Sequence, residues 1–100
     1  MLGMGGIAAE LTKNISVRIA PVTLETAHEM IGEIRELELL RGFRSLPRGD
    51  CEALAAAVRA ISLLAHIGSR TVVEAEVNPL IVKAQGRGVV AVDGLVIFGS

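Results

Sequence analysis

The sequence has no tryptophan and no tyrosine, and its only aromatic residues are Phe43 and Phe98. Two rings so far apart in the chain leave no platform on which successive bases could stack. A single cysteine, Cys51, rules out an internal disulfide and suits a reducing compartment. Neither sign of charge is in excess: the formal net charge is −1, so a partner held by bulk electrostatics, nucleic acid or an anionic membrane, is not expected. A membrane-spanning apolar run is also missing. The apolar stretch 1–9 has no basic flank and is too short to cross a bilayer. These absences point to a soluble, cytoplasmic chain with no nucleic-acid and no membrane partner. Equally absent are a Ser/His/Asp set, a Cys/His metal spacing and a complete phosphate-binding loop.

Hydrophobic residues make up 51% of the 100 residues, and the mean hydropathy is +0.54. This is enough for one small domain with a single core. The glycine-rich start, Gly3-Met4-Gly5-Gly6, leads into two short apolar runs, 7–11 and 15–19, with a turn expected at Lys13-Asn14. In the second run Ile15, Val17 and Ile19 share one face and Ser16 and Arg18 the other. Thr23 fits a helix N-cap, and Ala27, Met30, Ile31, Ile34 and Leu37 recur at helical spacing, which predicts a helix over 24–37. Residues 38–49 are broken by Gly42, Pro47 and Gly49 and carry Arg41, Arg44 and Arg48. Guanidinium groups suit bidentate phosphate contacts, but Arg41 and Arg48 read first as ordinary solvated loop residues. Asp50 caps a second expected helix over 50–67, with Leu54, Val58, Ile61 and Leu64 on its apolar stripe and Gly68 as its stop. His28 and His66 read as helix surface or end residues.

The last third holds the most informative pattern. Residues 71–82 and 89–96 read as strands around Gln85-Gly86. A two-residue loop at Gln85-Gly86 pairs Ala84 with Arg87, Val82 with Val89, Leu80 with Ala91 and Asn78 with Asp93. Glu74, Glu76 and Asn78 then lie on one face. An amide oxygen opposite a carboxylate, with Cα atoms roughly 4.5–5.5 Å apart, can reach one small cation, and hard oxygen donors suit Mg²⁺. The same alternation also describes a plain solvated strand face, and a slip of one residue would separate Asn78 from Asp93. The order β-β-α-loop-α-β-β predicts an α+β fold: antiparallel hairpins with two helices packed on one face.

Several runs occur in a characteristic order: Gly3 to Glu10, Arg18-Ile19-Ala20-Pro21, Leu40-Arg41-Gly42-Phe43-Arg44, Asp50, Glu74-Ala75-Glu76-Val77-Asn78-Pro79-Leu80 and Val90-Ala91-Val92-Asp93. In these the chain resembles the C-terminal part of the ATP-grasp domain of ADP-forming acyl-CoA synthetases, relatives of the succinyl-CoA synthetase β subunit. The resemblance implies a portion of an enzyme that interconverts acyl-CoA, ADP and phosphate with acid, CoA and ATP through a phosphohistidine. It implies Mg²⁺ and ATP/ADP as cofactors and Asn78 and Asp93 as metal ligands. It further implies Glu76 as the residue orienting the phosphohistidine, and Glu10, Arg18 and Arg44 beside the nucleotide. The pattern departs from the family at Ala8, where a bulky residue is usual, and at Ser45, which follows Arg44 in place of glycine. The half with the nucleotide-gripping lysine and the CoA-binding and phosphohistidine domains are not in this sequence, so they are the implied partners. A non-catalytic interaction module with the same fold is the other function class. Apolar residues near the start and on the last strands suggest association, most simply a homodimer.

Overall fold

A computed structural model describes residues 1–3, 15–34, 48–66 and 72–99. Strands β1 (Leu2–Gly3) and β2 (Ile15–Ser16) pair antiparallel and lead to helix α1 (Leu24–Glu33). Helix α2 (Cys51–Ser62) follows and tightens into a 3₁₀ turn, Leu63–His66. Strands β3 (Val72–Val77), β4 (Leu80–Val82), β5 (Val89–Ala91) and β6 (Gly94–Phe98) complete the order. The α+β class and the antiparallel pairing are as expected from the sequence.

Local chemistry explains both helices. The Thr23 side chain accepts from the Thr26 N–H at 3.1 Å, and Glu25 sits in the first turn, where a carboxylate complements the helix dipole. Helix α1 stops four residues earlier than the periodicity suggests: Ile34 is already extended, with φ −98° and ψ 111°. Gly32 weakens that last turn, and Ile34, fully buried, leaves the helix and enters the core. Residues 35–37 lie outside the described residues, as do the expected strand 7–11, the Lys13-Asn14 turn and Gly68.

The core lies between the helices. Val22, Ala27, Met30, Ile31, Leu54 and Ala55 are buried together, and Leu2, Val58, Leu80, Val82 and Val89 pack against them half-buried. Helix α2 is therefore the central element, touching α1 on one side and β3, β4 and β5 on the other. The short strand β2 is turned opposite to a usual amphipathic strand. Ser16 is buried at 2% exposure, whereas Val17 and Ile19 are exposed.

The last four strands form one long hairpin. Ala84 accepts from the Arg87 N–H across Gln85-Gly86, and Val82 pairs with Val89 and Leu80 with Ala91, the register the loop predicts. Beyond the gap at Asn78-Pro79, Val77 pairs with Gly94 and Glu76 with Leu95 in the same register. Gly86 and Gly88 have φ of 84° and 82°, a region side chains rarely adopt, so the turn needs glycine for conformation.

One side chain joins the helix to the hairpin tip. Asp50, 8% exposed, caps α2 by accepting from the Ala53 N–H at 3.0 Å through Oδ1. Its Oδ2 accepts from the Gly86 and Gly88 N–H groups at 3.1 and 2.8 Å. Around it, residues 48–50 run beside the hairpin as a short third strand: the Asp50 N–H donates to Lys83 O, the Gln85 N–H to Arg48 O, and Gly49 bridges Ala84.

Asp50→Ala removes a helix cap and the tip contacts together. It should lower Tm by at least about 4–8 °C, the shift that losing one such interaction causes in a domain of this size, measured by far-UV circular dichroism. The donors on Ala53, Gly88 and Gly86 hold the Asp50 carboxyl below the ordinary carboxylate range, against the opposing effect of its burial. A lowered folded pKa means stabilisation that is complete above the unfolded value of about 3.9 and is lost as pH falls through the folded value. The loss of Tm on acidification below about pH 4 should therefore be shallower in Asp50→Asn than in the parent chain.

Candidate metal and nucleotide site

The site forms where the hairpin ladder is interrupted. Pro79 has no N–H to contribute, and β3 ends at Val77 while β4 begins at Leu80. The Asn78–Pro79 peptide is cis. Backbone bonds persist on both sides of the gap: the Asn78 N–H donates to Asp93 O and the Val92 N–H to Pro79 O, each at 3.0 Å. The structure thus brings Asn78 and Asp93 opposite each other, in the expected register.

Both residues are exposed, in a chain segment built mostly of aliphatic residues. Asp93 Oδ1 accepts from the Gly94 N–H at 2.8 Å, which fixes the carboxylate locally. Among the described residues its Oδ2 and the Asn78 amide have no hydrogen-bond partner, so oxygen donors remain for a ligand. Glu74 and Glu76 are exposed, and Ala75 and Val77, the residues that follow each, are half-buried, the alternation of a strand with one polar face. No three His, Cys, Asp or Glu side chains converge among the described residues. A cation here would take only a small share of its ligands from this segment. That suits Mg²⁺, which keeps waters and phosphate oxygens in its shell.

Arg18 lies elsewhere, on the chain after β2, and it is engaged. Its Nη1 donates to Glu33 Oε1 at 3.1 Å and to Val17 O at 2.9 Å, and its Nη2 pairs with Glu33 Oε2. Ser16 Oγ donates to the same Glu33 Oε1 at 2.7 Å. Hydrogen bonds from Arg18 and then Ser16 hold the Glu33 carboxyl below its ordinary range, and the hydrogen bond to Glu33 raises the Arg18 guanidinium in turn. Glu10 and Arg44 lie outside the described residues. His28 reaches across to Glu52 of α2 at 3.5 Å and stays partly exposed, a helix-surface residue as its pattern indicates.

Two participants were not legible in the sequence. Glu33 as the counter-ion of Arg18 lies 15 residues away, and nothing local marks it. Asp50 is readable as a cap, but its second oxygen serves glycines 36 and 38 residues further on.

Residues 1–98 match the model of a family described as "ATP-grasp domain". The chain is 39% identical over its full 100 residues to acetate–CoA ligase (ADP-forming) I of Archaeoglobus fulgidus and covers 14% of that protein. It is 35% identical over 98 residues to the β subunit of acetate–CoA ligase (ADP-forming) II of Pyrococcus furiosus, covering 42% of it. The chain thus spans well under half the length of these relatives. Among solved structures, it superposes at TM-score 0.84 and 31% identity on an acetyl-coenzyme A synthetase of Ca. Korarchaeum cryptofilum. That protein is in complex with coenzyme A and Mg-AMPPCP, its phosphohistidine segment pointing towards the nucleotide-binding site. The match covers 97% of this chain and 44% of that one. No helix among the described residues is long and apolar enough to cross a membrane. With one family model spanning residues 1–98, and with relatives that are ADP-forming ligases, the chain belongs to the ATP-grasp family of ADP-forming acyl-CoA synthetases.

Proposed function

We propose that this chain is the part of an ADP-forming acyl-CoA synthetase that holds Mg²⁺ on the nucleotide and receives the phosphohistidine. The observation that carries this reading is the apposition of Asn78 and Asp93 at the ladder gap, with Glu76 two residues before Asn78, on β3. Their donor set is all hard oxygen, the chemistry Mg²⁺ requires. Bound there with a nucleotide, the ion would neutralise phosphate charge during phosphoryl transfer.

Each residue then has a definable task. Asn78 and Asp93 are the metal ligands. Glu76 accepts a hydrogen bond from the imidazole of the incoming phosphohistidine, which fixes its tautomer and favours its cationic form. Arg18 keeps further N–H donors beyond those committed to Glu33 and Val17, so it can meet a nucleotide phosphate while remaining held. Glu10 and Arg44, outside the described residues, are assigned to the nucleotide by the family resemblance alone. The remaining ATP-grasp lobe and the CoA-binding and phosphohistidine domains are the partners that complete the site. The single cysteine supports a reducing, cytoplasmic setting.

The test is turnover. The chain alone should show no ATP-dependent acyl-CoA synthesis. Assembled with the complementary domains, Asp93→Ala and Asn78→Ala should each lower kcat by about a hundredfold or more, the scale of losing a group that stabilises transferring phosphate. Unchanged turnover in Asp93→Ala would refute the assignment.

A further inference from the structure

We propose that Asp50 is the positioning residue of the metal pair: by clamping the hairpin tip to helix α2 it sets the register that brings Asn78 opposite Asp93. This rests on reading Asn78 and Asp93 as the Mg²⁺ ligands. The clamp itself stands on hydrogen bonds observed in the structure.

Strands β4 and β5 have three residues each and, among the described residues, pair along their length with one another, with residues 48–50 joining only at the tip. A two-stranded hairpin is marginal in water on its own. A slip of one residue would send Asn78 and Asp93 to opposite faces. Something must therefore pin the register, and apolar contact alone is poorly suited to it, since Leu80, Val82 and Val89 can slide against Val58 and Leu54 with little directional penalty.

Asp50 supplies the direction. Its N–H donates to Lys83 O on one arm of the tip, and its Oδ2 accepts from Gly86 in the turn and Gly88 on the other arm. The amide between those two, Arg87 N–H, turns away to Ala84 O. The carboxylate thus selects particular peptide groups on both arms, and a slipped hairpin would not present them. The clamp is mounted firmly, because Asp50 is the cap of α2, whose Leu54 and Ala55 are buried in the core. The register set at the tip then runs unchanged past the gap as far as Glu74 and Ile97.

The chemistry is specific to aspartate. One oxygen serves Ala53 and the other serves the glycines, so a side chain with a single acceptor oxygen cannot do both. Asn and Ser are good N-caps, and either variant keeps the helix start while surrendering the tip.

Amide hydrogen exchange on the full 100-residue chain tests this. In both Asp50→Asn and Asp50→Ser, the Asn78 and Val92 amides should lose at least about tenfold in protection, while those of Met30 and Ile31 stay within about twofold. Unchanged protection at Asn78 and Val92 in both variants would mean that Asp50 only caps the helix, and would overturn the proposal. If a variant does not fold, the parent chain decides. The Gly86 and Gly88 amides should open in the same denaturant-dependent event as Asn78 and Val92, and opening of the glycines alone, about a hundredfold more often, overturns the proposal. A second readout uses Mn²⁺ as the probe. Its paramagnetic broadening of signals near residues 78 and 93 should weaken in Asp93→Asn and in Asp50→Asn alike. Broadening lost in Asp93→Asn but kept in Asp50→Asn defeats the positioning role and leaves the ligand assignment intact. Broadening indifferent to Asp93→Asn defeats the ligand assignment, and the exchange result then stands for the clamp alone.

Discussion

A buried carboxylate that accepts three backbone N–H groups from two distant parts of the chain is the constraint on which this molecule depends. A polar group withdrawn from water is costly unless it is bonded, and at Asp50 both oxygens are. The packing of Leu54, Ala55 and Val58 against Leu80, Val82 and Val89 supplies the adhesion between helix α2 and the hairpin. Adhesion of this kind has little sense of direction. Hydrogen bonds from named peptide groups supply that sense, turning an apolar contact into a defined geometry 36 and 38 residues along the chain.

The sequence was legible wherever structure is local. The Gln85-Gly86 loop predicts the hairpin register because a two-residue turn placed at those residues pairs its arms in one way, and the ladder follows it. Thr23 and Asp50 announce their helices for the same reason: a cap acts within three residues of itself. What could not be read depends on pairs far apart. Nothing near Arg18 signals Glu33, and nothing near Asp50 signals Gly88. Periodicity overshoots the end of helix α1 because it marks Ile34 as apolar without saying that its burial is achieved in an extended backbone. The gap at Pro79 was also hidden, since the aliphatic run continues through it.

Hydropathy was a poorer guide to burial than to secondary structure. Strand β6 is apolar along most of its length, yet Leu95, Val96 and Ile97 each remain more than 40% exposed, and Val73 and Val92 more so. Strand β2 goes further and buries its serine while exposing its aliphatic residues, because Ser16 finds Glu33. Period-2 alternation identifies a strand but not the neighbour that covers either face. A chain of 100 residues buries a limited share of its apolar surface, so apolar strand residues can stay uncovered.

The two aspartates of the chain place the same side chain in two different settings. Asp50 is buried and spends both oxygens on backbone N–H groups, so it can hold but has no acceptor conveniently left to give. Asp93 is exposed, spends Oδ1 on the adjacent Gly94 N–H, and among the described residues leaves Oδ2 free. It sits where Pro79 has no N–H to give the ladder and where the paired strands are interrupted. Phosphoryl transfer asks a protein mainly for positioned charge. On the reading proposed above, a carboxylate oriented through one oxygen and available through the other, on a hairpin whose register is pinned from its far end, would answer that requirement from this segment, with the nucleophilic histidine on a partner domain.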